Sequence, residues 1–350
     1  MRTAHLERSR DLVPAAIVYA GVRYDFDPSL VGESELVNAG RLKAAWLILI
    51  SPLRAIEVNE PLFLESLTRT ALVVWAARAR STVTRRHVSI GTYAIENLDR
   101  FALREVGAKR ALRRQVRLCI ARYVWRRIDR VAFGTADAEK TYLERFGSPS
   151  AAKLILALPA PATYLEIEKA PTSVLFLGAL TLRKGFDLLL SAWPTVVAER
   201  PHARLQIIGT GELAHDALRM AAAIPSVATQ IDPDRARIHE ALAEAAVLVL
   251  PSQPIRGWRE QVGLPIVEGL SFGCRVVTTR ETGLADWLAQ NGHVVLDAPT
   301  TPQDLAKGIV RCIDASGPRQ DILSSLPLLD GRVAADQWLF AQDGRQHVSW

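Results

Sequence analysis

Apolar residues in this chain fall into two kinds of stretch. Short β-branched runs have the length of buried parallel strands, and the stretches between them show helical spacing. In the first half the pattern predicts strands at 15–20, 55–58, 87–92, 131–133 and 154–158, and helices over 33–50, 62–79 and 136–146. In the second half it predicts strands at 174–177, 205–208, 247–251, 274–279 and 294–296. Helices are expected from Arg183-Lys184-Gly185 to 199, then over 236–246, 265–272 and 302–315, with a closing helix at 333–340. Strand and helix alternate, so the chain is α/β with parallel sheets. At 350 residues it is long enough for two domains. Pro159-Ala160-Pro161 and the stretch 162–172 form the expected crossing, giving domains of 1–165 and 166–330 and a tail of 331–350.

One segment changes this picture through charge. Over 104–130, Leu112, Val116, Cys119, Ile120, Tyr123 and Val124 recur at helical spacing among Lys109, Arg110, Arg113, Arg117, Arg122 and Arg126. Such a helix packs one face and shows a basic one, which is either a solvated surface or a contact for anionic lipid or a phosphorylated acceptor. No aromatic platform accompanies the charge, so no nucleic-acid partner is expected. The net charge of +6 fits an anionic partner. Cys119, Cys274 and Cys312 are far apart and odd in number, and neither they nor the seven histidines have metal-ligand spacing. No metal or cofactor is expected, and a cytoplasmic location, with peripheral contact at the inner membrane face, fits these features. The first residues are charged rather than apolar, and the apolar run 42–53 is too short to span a bilayer.

The chemistry concentrates between the strands at 247–251 and 274–279. The intervening loop carries Arg256, Trp258, Arg259 and Glu260, then Gly263-Leu264-Pro265, and a helix follows with proline in its first turn. Ligands of open α/β sheets sit outside the carboxyl ends of the strands. The free N–H groups at Gly263 and Leu264, with the positive end of the helix dipole, suit a phosphate or diphosphate. Glu260 and Glu268 flank that terminus, and two carboxylates beside a phosphate site suit the hydroxyls of a sugar and a ribose.

This spacing of Glu260 and Glu268 around Gly263-Leu264-Pro265 resembles the retaining glycosyltransferases of family 4, which have the GT-B fold. The stretch VLFLGALTLRKGFDLLLSAW (174–193) is similar to that family's first strand and phosphate loop, and Glu281-Thr282-Gly283-Leu284 to its next loop. The resemblance implies two Rossmann-like domains facing each other across a cleft. It implies transfer from a nucleotide-diphosphate sugar, UDP- or GDP-linked, to a saccharide or lipid-linked acceptor, as in cell-envelope glycan or glycolipid synthesis. In that scheme Glu260 holds donor-sugar hydroxyls, Glu268 the ribose, and Lys184 with Arg183 the departing diphosphate, while Gly178 and Gly209 shape the donor loops. Relatives commonly place an arginine directly after the first of these glycines. Here that residue is Ala179, and Arg183 is the candidate substitute.

On the acceptor side, Asn59, Glu60, Glu96 and Asn97 follow strand ends and serve either a cleft or a cap and turn. The aspartate pairs Asp232/Asp234 and Asp25/Asp27 have the form of a metal motif but read as caps. Two other functions stay open: a non-catalytic subunit that binds nucleotide sugar or a partner enzyme, and a nucleotide-sugar epimerase.

Overall fold

The computed structural model describes residues 11–22, 35–103, 107–162, 170–315 and 317–341. Asp25, Asp27 and most of the expected crossing segment lie outside them. The chain divides into two compact units, residues 1–156 with 332–350, and residues 157–331. No helix among the described residues is long and apolar enough to cross a membrane.

The first unit holds a parallel pair, β1 (Ile17–Tyr19) and β2 (Leu36–Asn38), and a parallel sheet in sequence order. That sheet comprises β3 (Ala55–Glu57), β4 (Ser89–Ala94), β5 (Arg130–Phe133) and β6 (Ala152–Leu154). Its helices are α1 (Arg41–Ile50), α2 (Leu67–Thr84), α3 (Ala108–Trp125) and α4 (Ala136–Phe146). Thr135 caps α4 by accepting from the Ala138 N–H, and Asp137 and Glu139 favour its positive end. The core gathers Ile90, Val124, Val131 and the rings of Trp125, Phe133 and Tyr142. Trp125 stacks on Tyr142 at 5.2 Å between centroids.

Two expected helices are corrected here. The helix read over 33–50 begins only at Arg41, because Leu36–Asn38 pairs with β1. Leu36 and Val37 suit either period, and the nearby strand edge decides the outcome. Extended Gly40 (φ −67°, ψ 172°) separates strand from helix. The helix read over 62–79 runs instead from Leu67 to Thr84, ending at left-handed Arg85 (φ 54°). The strands read at 87–92 and 154–158 are likewise offset, lying at Ser89–Ala94 and Ala152–Leu154.

The C-terminal helix, Gly331–Phe340, packs into this first unit. Ala335 and Leu339 are buried against Ala132. Arg130 donates to the Trp338 carbonyl at 2.9 Å. The Val13 N–H donates to the Asp336 carboxylate at 2.9 Å, and Arg332 pairs with Glu57 at 2.6 Å.

The second unit is a six-stranded parallel sheet in the order β12-β11-β10-β7-β8-β9. Its strands are β7 (Ala170–Leu177), β8 (Arg204–Ile208), β9 (Val227–Gln230), β10 (Ala245–Leu250), β11 (Arg275–Thr279) and β12 (Val294–Leu296). They alternate with α5 (Phe186–Glu199), α6 (Ala214–Ala223), α7 (Arg235–Glu244), α8 (Leu264–Ser271), α9 (Ala285–Gln290) and α10 (Pro302–Asp314). A short α11 (Arg319–Ser324) follows. Every residue of β10 is buried, as a central parallel strand requires. The winding reverses between β7 and β10, the switch point at which doubly wound sheets open a crevice for ligands. Asp234 caps α7 by accepting from the Arg237 N–H at 2.9 Å. His293 is buried, and its Nδ1 accepts from the Val276 N–H at 3.1 Å. Burial, helped by the Arg275 charge, pushes its pKa down to about 4 and keeps the ring neutral.

Candidate functional site

The loops leaving β7 and β10 meet at this switch point. Gly178 follows β7 at φ 145°, and a side chain there would touch Leu250 of β10 and Pro265 of α8. The next loop is fastened to it. The Gly178 N–H donates to Ile208 at 3.0 Å and the Leu180 N–H to Thr210 at 2.8 Å. A Cβ on Gly209 would lie 1.8 Å from the Gly178 carbonyl oxygen, so only glycine permits this approach. Gly209 therefore shapes the loop pair.

After Thr181 the chain makes a 3₁₀ turn, Leu182–Lys184, and Gly185 (φ 67°) starts α5. A Cβ on Gly185 would stand 2.1 Å from the Pro251 carbonyl oxygen. That close contact sets the Arg183-Lys184 turn directly against the β10 loop. Lys184 is buried and its ammonium pairs with the buried Glu260 carboxylate. Ser252 donates a second hydrogen bond to Glu260 at 3.0 Å. Removing either member of such a pair leaves a buried charge uncompensated.

Helix α8 begins beside this pair. Gly263 adopts φ 80° before Leu264, and Pro265 has no N–H to give. The first intrahelical donors are Ile266 and Val267, both to the Gly263 carbonyl. The N–H groups of Gly263 and Leu264 therefore precede the helical ladder, at the positive end of the dipole. Farther along α8, Glu268 is half-buried and pairs with Arg235 of α7 at 2.7 Å. Gly269 brings α8 close to β10, since a Cβ there would meet Leu248 at 2.9 Å. The loop after β11 closes the arrangement: the Gly283 N–H donates to Gln261 at 2.9 Å and Thr282 Oγ1 to Val262 at 2.8 Å.

So the second unit brings together Gly178, Arg183, Lys184, Glu260, Gly263 and Leu264, with Glu268 farther along the same helix. Two cations, a helix N-terminus and two carboxylates can hold a diphosphate flanked by hydroxyl-bearing groups. Sequence reasoning gave no role to Ser252, Arg235 or Trp258. Arg235 is remote from Glu268 in the chain, so no local spacing announces that pair.

The remaining candidates lie in the first unit, at the ends of β3 and β4. Asn59 is exposed, while Glu60, Glu96 and Asn97 are buried. Glu60 accepts from the N–H groups of Ile95 and Glu96, both at 3.0 Å, and from Tyr142 Oη at 2.9 Å. Burial outweighs these donors and raises its pKa to about 7. Glu96 accepts from the Leu98 N–H at 3.2 Å, and the Asn97 carbonyl accepts from Thr141 at 3.4 Å.

Residues 171–315 match the family described as glycosyl transferases group 1. Over 163 residues the chain is 32% identical to the glycogen synthase of Edwardsiella ictaluri (strain 93-146), covering 43% of this chain and 32% of that protein. It is 28% identical over 187 residues to D-inositol 3-phosphate glycosyltransferase 2 of Catenulispora acidiphila, covering 49% of this chain and 40% of that one. The chain thus spans about a third of the length of the first curated relatives it matches. Among solved structures it is similar to the lipopolysaccharide outer core galactosyltransferase WaaB, at TM-score 0.62 and 13% identity over 93% of this chain and 89% of that one. WaaG, a glycosyltransferase involved in lipopolysaccharide biosynthesis, gives TM-score 0.60 and 14% identity over 93% and 91%. Anabaena HepE in complex with UDP gives TM-score 0.58 and 15% identity over 89% and 83%. The fold is GT-B.

Proposed function

We propose that this chain transfers a glycosyl group from a UDP- or GDP-linked sugar to an acceptor hydroxyl, with retention at the anomeric carbon. The observation that carries the proposal is the meeting of Lys184, Glu260 and the N-terminus of α8 at the switch point of the second sheet. In this scheme the N–H groups of Gly263 and Leu264 take the diphosphate, with Lys184 and Arg183 balancing the charge that grows on it. Glu260 accepts hydrogen bonds from donor-sugar hydroxyls once Lys184 turns to the phosphate, and Glu268 holds the ribose. The bond from the anomeric carbon to the diphosphate oxygen breaks as the acceptor oxygen bonds on the same face. The acceptor proton ends on the departing phosphate. Because these groups supply the positive charge, turnover is expected to persist in EDTA.

HepE is seen in complex with UDP, WaaB is a lipopolysaccharide outer core galactosyltransferase and WaaG is involved in lipopolysaccharide biosynthesis, and these likenesses favour a cell-envelope glycan or lipid-linked acceptor. Exposed Asn59 and the segment 95–97 are offered as acceptor-side groups, with Glu60 supporting that segment. Helix α3 suits peripheral contact with an anionic membrane. Leu112 and Val116 are 67% and 52% exposed, among exposed Lys109, Arg110 and Arg113.

A thermal-shift screen of UDP-, GDP-, ADP- and dTDP-sugars, followed by product analysis, tests the proposal. A donor that raises Tm and is then transferred with retention supports it. Binding without transfer or hydrolysis points to a non-catalytic subunit, and an isomerised donor formed without acceptor points to an epimerase. Failure of every donor to bind removes the donor site.

A further inference from the structure

Trp258 sits in the loop from β10 to α8, just before Glu260. Its indole faces two cations at once. Arg183 Cζ lies 4.9 Å from the ring centroid and Lys184 Nζ lies 5.4 Å from it, both within reach of the ring quadrupole. The backbone fixes this placement. Gly257, at φ 81°, closes a turn in which the Trp258 N–H donates to Ile255 at 3.0 Å, and the two residues pair as an isolated antiparallel bridge. The same loop is fastened to the turn that carries the cations, because the Gln253 N–H donates to the Arg183 carbonyl at 3.0 Å. The backbone segments that carry ring and guanidinium are thus joined by a direct hydrogen bond.

The two cations differ in how they are matched. Lys184 has the Glu260 carboxylate, which cancels its charge. Arg183 has no carboxylate partner among the described residues, and the indole is its aromatic neighbour. An aromatic face attracts a cation without neutralising it. A carboxylate in the same place would compete with an incoming anion, whereas the indole restrains the guanidinium and leaves its charge available.

We infer that Trp258 is a positioning residue that holds Arg183, with Lys184 beside it, for the diphosphate of a nucleotide donor. The inference rests on the donor-site reading and adds a specific claim: Trp258 acts on the diphosphate end of the ligand and not on the nucleoside end.

The test is calorimetric titration with UDP, GDP, ADP and dTDP, and with the nucleoside of whichever diphosphate binds. Trp258→Ala is expected to weaken the diphosphate about tenfold while nucleoside affinity stays within about twofold. Trp258→Phe, which keeps an aromatic face, should recover most of the loss. Arg183→Ala should weaken diphosphate binding to a similar extent, and the double variant should be no weaker than the weaker single one, since the two side chains act as one unit. In turnover, the donor KM should rise more than kcat falls. Should Trp258→Ala not fold, Trp258→Leu takes its place. Equal losses for nucleoside and diphosphate, or additive losses in the double variant, overturn the positioning role. If no nucleoside diphosphate binds the unsubstituted protein, the donor site itself is refuted.

Discussion

Each unit carries a buried glutamate beyond the carboxyl end of a parallel strand, and the two are equally shielded, Glu60 at 9% and Glu260 at 9% exposure. They differ in what faces the carboxylate. Among the described residues, Glu60 accepts from neutral donors, two backbone N–H groups and a tyrosine hydroxyl. Desolvation by burial, added to by the Glu96 carboxylate, outweighs these donors, and its proton is retained up to about pH 7. Glu260 meets an ammonium and a serine hydroxyl beside a helix N-terminus. Equal burial therefore says little about role, and the charge of the partner says more. Neutral donors tie backbone segments together, whereas a lysine can release the carboxylate to a ligand once an anion draws the lysine away.

The sharpest way to break this contrast is substitution at the second site. Lys184→Ala should lower kcat/KM on the order of 10²–10³-fold and weaken donor binding. Glu260→Gln should cut turnover about a hundredfold and, by leaving the buried Lys184 ammonium unmatched, should also lower the Tm of the second unit. Glu60→Gln should leave turnover within about threefold, whereas Glu60→Ala, which strands three donors, should cost the first unit about 3 kcal/mol. If Glu60→Gln abolished transfer in a folded protein, Glu60 would join Glu260 as a substrate residue and the contrast would fail.

The pH response of the two units should also diverge. Folded Glu60 keeps its proton to about pH 7, whereas the unfolded carboxyl releases it near 4.5. The stability this gives is complete below pH 4.5 and is lost as pH rises to 7, by about 3 kcal/mol. Folded His293 stays neutral down to about pH 4, while its unfolded value is near 6.5. That contribution is complete above pH 6.5 and is lost as pH falls to 4, by about 3 kcal/mol. Calorimetric scans across pH 4–7 should show the two unfolding transitions moving in opposite directions. Glu60→Gln should flatten the first and His293→Asn the second. The smallest effect belongs to the half-exposed Arg235–Glu268 pair: Arg235→Ala should raise donor KM a few-fold without moving Tm, and unchanged kinetics would separate Arg235 from the ribose.

The second unit was the more legible in the sequence, for physical reasons. The run at 247–250 is apolar throughout because a central parallel strand is buried on both faces. Gly178, Gly185 and Gly263 mark places where backbones nearly touch or turn, so the loops could be placed before their partners were known. Strand β9 leaves little signal in the sequence because Val227-Ala228-Thr229-Gln230 is short and partly polar. The apolar period of Leu36–Asn38 fits a helix as well as a strand, because its pairing with β1 is a tertiary fact that periodicity does not carry. The sequence also left Glu60 between cleft and cap, since its donors Ile95, Glu96 and Tyr142 are far along the chain.

The closing helix, Gly331–Phe340, supplies Ala335 and Leu339 to a buried cluster with Ala132, in a unit whose residues 1–156 are synthesised before the second unit. On the ribosome, the first unit therefore cannot be completed until the second has been made. Leu339 cannot cover Ala132, nor Arg130 find its carbonyl acceptors, until residues 157–331 have emerged. Expression of 1–156 by itself should yield an aggregation-prone fragment, and supplying the missing helix through a short artificial linker should restore solubility.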